Sequence, residues 1–122
     1  MAIKYTMRND GDLLIVESTG FDESLEEVQQ YGLAILSACK QGNYTKVLCN
    51  EINLEYRLGT FDTFLAAEFM ATQLPKLGRA AIVCNKTFIE DAKFWETVAV
   101  NRGLTVRVFK DVDSARGWLE VK

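Results

Sequence analysis

A chain of 122 residues with 48% hydrophobic and 25% charged content reads as one globular domain, long enough to bury roughly two thirds of its unfolded surface. A net charge of −3, with acids and bases interleaved, provides no basic face for nucleic acid, and no apolar run approaches the ~20 residues of a membrane span. Histidine is absent, so no Ser-His-Asp or Cys-His site can be built from this chain alone, and the commonest metal ligand is missing.

The opening MAIKYTMRND has neither a long apolar stretch nor a small-residue cleavage pattern, so a cytoplasmic location is expected. Ile3 to Arg8 alternates, with Ile3, Tyr5 and Met7 on one side, as in a half-exposed strand. The turn Asn9-Asp-Gly-Asp12 and the strand LLIVES complete a hairpin. Ser24 and Glu27 form a capping-box pattern ahead of a helix whose apolar stripe is Leu25, Val28, Gly32, Ile35, Leu36 and Cys39, ended by Gly42-Asn43. KVLCN is a third strand, expected to stop at Cys-Asn-Glu and pass into a polar loop. A second helix runs from Phe61 to Gln73, closed by Pro75 and Gly78, with the Thr60 hydroxyl as its cap. The unbroken apolar run of RAAIVCN suits a central parallel strand covered on both faces. Thr87 and Glu90 repeat the capping box before a helix reaching Arg102 and stopped by Gly103, with Phe88, Ala92, Trp95 and Ala99 inward. LTVRVF is the fifth strand, and Asp111 caps a last helix carrying Ala115, Trp118 and Leu119.

The order β-β-α-β-α-β-α-β-α predicts an open α/β fold: a mixed five-stranded sheet with an antiparallel hairpin first, parallel strands after it, and about four helices. Residues 1–122 form a single domain, without repeat or linker. Cys39, Cys49 and Cys84 are odd in number and lack metal spacing, which suits free, buried thiols in a reducing compartment. No glycine-rich phosphate loop or cofactor motif is present, since CNKTF lacks the glycines a P-loop needs.

The segment GRAAIVCNKTFIEDAKFWETVAVNRGLTVRVFKDVDSARGWL, Gly78 to Leu119, resembles the SpoIIAA-like group of the STAS domain superfamily. The similar parts are the strand Ala80 to Val83, the helix with Phe94-Trp95 ending in Arg102-Gly103, the strand Val106 to Phe109 and the helix Ala115 to Leu119. The hairpin and VQQYGLAILSACKQGNYTKVLCN fit more loosely, so the resemblance covers nearly the whole chain. These are core-packing motifs, and they specify fold far better than activity. The anti-sigma-factor antagonists of that superfamily carry Asp-Ser-Ser-Gly at a helix start, where a serine is phosphorylated and the added charge blocks docking on a partner kinase. This chain has Tyr56-Arg57-Leu58-Gly59 there and no serine between Ser37 and Ser114, so the resemblance implies no such switch. A phosphate on Thr60 would be tolerated at a helix N-terminus, which is not a reason to expect one.

Two features carry candidate sites. Asn50-Glu51, Asn85-Lys86 and Lys110-Asp111 stand at the predicted ends of strands three, four and five, so all six are expected at one sheet edge. There Glu51 beside Lys86 reads either as an acid/base pair or ligand clamp, or as a solvated rim with an exposed ion pair worth under ~1 kcal/mol. The second helix is apolar nearly all round: Phe64, Ala67, Met70, Ala71 and Leu74 on one arc, Phe61, Leu65 and Phe69 on another. Three covers for the second arc stay open: a second copy of the chain, a neighbouring loop such as Asn53 to Leu58, or an apolar or lipid-like ligand held between the helix and the sheet. The expected function is therefore a non-enzymatic protein-interaction or regulatory domain, homodimeric, with a protein partner the chain does not name. A carrier of a small apolar ligand is the alternative, and an enzyme using Glu51 and Lys86 ranks below both.

Overall fold

The computed structural model describes residues 2–73 and 78–121. Five strands, β1 (Ile3–Asp10), β2 (Leu13–Phe21), β3 (Lys46–Glu55), β4 (Arg79–Cys84) and β5 (Val106–Phe109), lie side by side in chain order. β1 and β2 pair antiparallel and all later neighbours are parallel, as the element order predicts. The hairpin turns through Gly11 at φ +62°, a left-handed value that glycine adopts without penalty.

Because strand order advances steadily across the sheet, right-handed crossovers place every crossover helix on the same face. Those helices are α1 (Leu25–Gly42), α2 (Thr60–Gln73) and α3 (Ile89–Asn101). The inward set of β2 and β3, including Leu14, Val16, Val47 and Cys49, packs against Tyr31, Ile35 and Cys39 of α1. α2 lies between α1 and α3, with Ala67 packed beside Val98, Ala99 and Val106. Gly32 of α1 lets α2 come close, since a Cβ there would run into the Met70 side chain. The opposite face is left to α4 (Val112–Glu120), whose Ala115 and Leu119 cover Leu13, Ile15, Leu48, Ala81 and Val83. β4 is thus covered on both faces, as its unbroken apolar run requires.

Helix ends follow local chemistry. Ser24 caps α1 by accepting the Glu27 N–H at 3.2 Å, and Asn43 closes it in the left-handed conformation, φ 55°. Only half of the capping box forms, because the Glu27 carboxylate accepts the Ile3 N–H at 3.1 Å instead. Three predicted details differ. Thr60 is the first residue of α2 rather than its cap; the Gly59 carbonyl accepts the Thr63 N–H and hydroxyl, each at 2.9 Å. Thr87 does not cap α3: Asn85 caps a 3₁₀ turn over Lys86–Phe88 by accepting the Thr87 N–H at 2.9 Å, and α3 begins only at Ile89. Leu74 and Pro75, assigned to the second helix and its stop, lie outside the described residues.

The largest difference is in β3. It does not stop at Cys-Asn-Glu but runs ten residues, through Glu55. The β2–β3 register passes from Glu17↔Asn50 to Thr19↔Asn53, so Glu51 and Ile52 together face Ser18 in a β-bulge. Two asparagines serve the bulge: Asn50 Oδ1 accepts the Ile52 N–H and Asn85 Nδ2 donates to the Ile52 carbonyl, both at 3.3 Å. Ile52 stays in phase with Leu48 on the α4 side, and the extra residue shifts the alternation by one after it, so Leu54 joins the α1-side core.

Candidate functional site

Strand alternation decides where Glu51 goes. Val47 and Cys49 point toward α1, and Glu51 follows them inward, where it is 7% exposed. Its Oε2 accepts the Tyr31 hydroxyl of α1 at 2.9 Å, and its Oε1 accepts the Tyr56 hydroxyl at 2.5 Å. Tyr56 reaches the same face because the bulge has reset the alternation after Glu51. Ser18 completes the group, its hydroxyl 2.5 Å from Tyr31 Oη. With the Tyr31 proton directed at Glu51, Ser18 donates to Tyr31, and the chain of protons runs one way toward the carboxyl.

Burial raises the Glu51 pKa above the usual carboxylate value, with hydrogen bonds from Tyr56 and Tyr31 opposing it and the charge of Asp22 adding to it. Burial and then the Glu51 charge push both tyrosines well above their ordinary range. All three thiols are free and buried, as expected, and burial pushes each upward, Cys39 to about 11. None is a ready thiolate at neutral pH.

Asp22, at the end of β2, is the second buried carboxyl. It accepts the backbone N–H groups of Arg57 and Leu58, the latter at 3.0 Å, and so fixes the Tyr56 to Gly59 connector. Burial raises its pKa; the two N–H bonds oppose the shift, and Asp91 and Glu27 reinforce it. Arg57 holds the outside of the connector, bonding Glu55 at 2.7 Å with its guanidinium 3.7 Å from the Phe21 ring centre.

A cavity of about 160 Å³ lies between the sheet and α1, α2 and α3. Val28, Ile35, Val47, Ala66, Met70 and Val106 are among its apolar walls, and Asp22, Glu51, Tyr31 and Tyr56 supply polar ones. Met70 lines it as an apolar-ligand reading requires, whereas Phe64 packs instead beside Ala67 and Trp95.

The six predicted rim residues do not form one cluster. Asn50 and Asn85 meet at the Ile52 peptide. Glu51 is interior, while Lys86 stands exposed in the 3₁₀ turn, so the Glu51–Lys86 pair does not come together. Lys110 is exposed, and Asp111 caps α4 by accepting the Ser114 N–H at 2.7 Å. That bond and the Ser114 hydroxyl hold the exposed Asp111 carboxyl below its usual pKa. A lowered folded value gives stability that is present above the ordinary carboxylate pKa and lost as pH falls through the lowered one. Asp111→Ala is expected to lower the melting temperature at neutral pH, and melts of the two chains should converge as pH falls through the lowered Asp111 value.

On α2, Phe61 is 71% exposed, while Leu65 and Phe69 are half-buried beside Leu25 and Gln29 of α1. The second apolar arc therefore adjoins α1 across a shared groove. Ser18, Asp22, Tyr31 and Tyr56 are the residues sequence reasoning missed. A signal existed for one: Tyr31 sits between Val28 and Ile35 on the α1 stripe, and a tyrosine in an apolar stripe needs a partner for its hydroxyl.

Among the described residues no helix is long and apolar enough to cross a membrane, and no group of acidic or sulfur side chains is placed to hold a metal ion. No family model and no curated protein matches the chain. Solved structures do. An anti-sigma factor antagonist from Mycobacterium paratuberculosis superposes with a TM-score of 0.65 at 9% identity, over 98% of this chain and 95% of that one. An uncharacterized protein from the DUF3478 family with a SpoIIAA-like fold, from Shewanella loihica PV-4, superposes with a TM-score of 0.57 at 20% identity, over 97% and 94%. At such identities the likeness is one of architecture, and the architecture of this chain is the SpoIIAA-like fold.

Proposed function

We propose that this domain is a non-enzymatic regulator that works by protein–protein contact, and that its first partner is a second copy of itself. One observation carries the reading: a phenylalanine, Phe61, stands 71% exposed at the start of a helix whose next turns, Leu65 and Phe69, are only half covered. These three side chains fall short of the ~800 Å² per partner of a standard interface, so Leu25 and Gln29 of α1 belong to the same face. Glu68 and Arg102, paired at 3.1 Å beside the groove, give that face both signs of charge, as a two-fold contact with itself needs. The fold relative described as an anti-sigma factor antagonist has a protein as its target, which favours a contact role. The separation of Glu51 from Lys86 leaves the enzyme reading without its acid/base pair. Free, buried thiols suit a reducing compartment, so the cytoplasm belongs to the same proposal.

Sedimentation velocity across micromolar concentrations tests it. The unaltered chain is expected as a dimer, and Phe61→Glu as a folded monomer with an unchanged circular dichroism spectrum. A monomer at every concentration ends the self-association reading; a Phe61→Glu chain that stays dimeric moves the interface off α2.

A further inference from the structure

We propose that the cavity under α1, α2 and α3 is a binding site for a small organic cation, a protonated amine carried on an apolar body. Size sets the first limit. At about 160 Å³ the cavity matches the roughly 150 Å³ void known to hold benzene, so it takes roughly six to nine non-hydrogen atoms. Its walls are mostly aliphatic, which suits an apolar body, and Tyr31, Tyr56 and Trp95 supply ring surfaces to a cation.

The polar part of the wall decides the sign of the ligand. Asp22, Glu51 and Asp91 line the cavity, and among the described residues no lysine or arginine does. The hydroxyl protons around Glu51 are also committed: Ser18 to Tyr31, and Tyr31 and Tyr56 to Glu51. The Glu51 cluster therefore offers lone pairs and no free donor, so a ligand must bring the hydrogen. An ammonium group answers each of these features; a carboxylate answers none, and a hydrocarbon fills only the space.

Benzylamine, benzyl alcohol, toluene and benzoate are matched in size and differ in charge and donors. Titrated near neutral pH with methyl-selective NMR detection, benzylamine is expected to bind most tightly and to shift the methyl groups of Ile35, Val47 and Val106. Glu51→Gln keeps the side-chain shape and removes the charge, and should weaken benzylamine about tenfold while leaving toluene unchanged. Ala66→Met projects from the α2 wall into the same space and should abolish binding of all four, with the fold checked by circular dichroism. The proposal is overturned if benzoate or toluene binds as tightly as benzylamine, if none binds at millimolar concentration, or if Ala66→Met leaves benzylamine affinity intact. These outcomes are independent of the oligomeric state, so failure here and failure of the Phe61 interface are told apart.

Discussion

Tyr31→Phe is expected to destabilise the domain by about 1–3 kcal/mol, although it removes a single oxygen. The loss leaves the Ser18 hydroxyl without its partner and Glu51 Oε2 without a donor, both inside the core. The penalty should depend on pH in a defined sense. The Glu51 pKa is already raised by burial, so the folded state holds its proton more tightly than the unfolded one, and the stability due to this group is present at low pH and lost as pH rises through the folded value. Removing the Tyr31 donor raises that value further. Urea denaturation at about pH 5 and about pH 8 should therefore show a larger difference between the two chains at the higher pH. In a Glu51→Gln background the Tyr31→Phe cost should shrink, because the surviving acceptor is neutral; strict additivity of the two changes would show that the hydrogen bond is not coupled to the charge.

Leu48→Ala is expected to cost about 2–5 kcal/mol, the range for emptying a leucine site in a core that cannot collapse. Leu48 sits in central strand β3, 2% exposed, among Ile15, Ala81, Val83, Ala115 and Leu119. Among the described residues α4 alone covers this side of the sheet, so little is available to move in and fill the void. The melting temperature should fall by roughly 10 °C or more. Phe61→Glu, by contrast, should leave chemical stability within about 0.5 kcal/mol once the chain is monomeric, because that side chain is solvated. A Leu48→Ala chain that melts with the unaltered one would mean that α4 does not hold this face.

The architecture was legible where hydrophobic periodicity was strong. The α1 stripe, the apolar run of β4 and the Ala115–Leu119 pair each identify an element and the face it buries, and a helix in every crossover then makes the later strands parallel. The site was not legible, for a physical reason. Asn50, Glu51 and Asn53 are poor strand formers, so propensity ends β3 at the place where the bulge carries it on. Read as strand, Val47-Cys49-Glu51 would have placed the acid inside the core and raised the question of its partners. Tyr31 and Tyr56 answer it from 20 and 5 residues away, a match that side-chain chemistry on one chain does not disclose. The Phe61 arc was legible as an anomaly, but α1 as its neighbour was not, because no periodicity reports that α2 is wedged between two other helices.

The supernumerary residue in β3 has a consequence for how this sequence can drift. Losing one amino acid between Glu51 and Leu54 would abolish the bulge and leave plain alternation, with Leu54 and Tyr56 still facing α1, whereas losing Glu55, between Leu54 and Tyr56, would turn the tyrosine toward α4 and strand the carboxyl with half its company. Gaining one in the Tyr56 to Gly59 connector would leave that phase intact. Changes of length should therefore be tolerated after Tyr56 and at the bulge itself but purged between Leu54 and Tyr56, so the shared facing of Glu51 and Tyr56 is a more durable signature of this polar core than the number of residues between them.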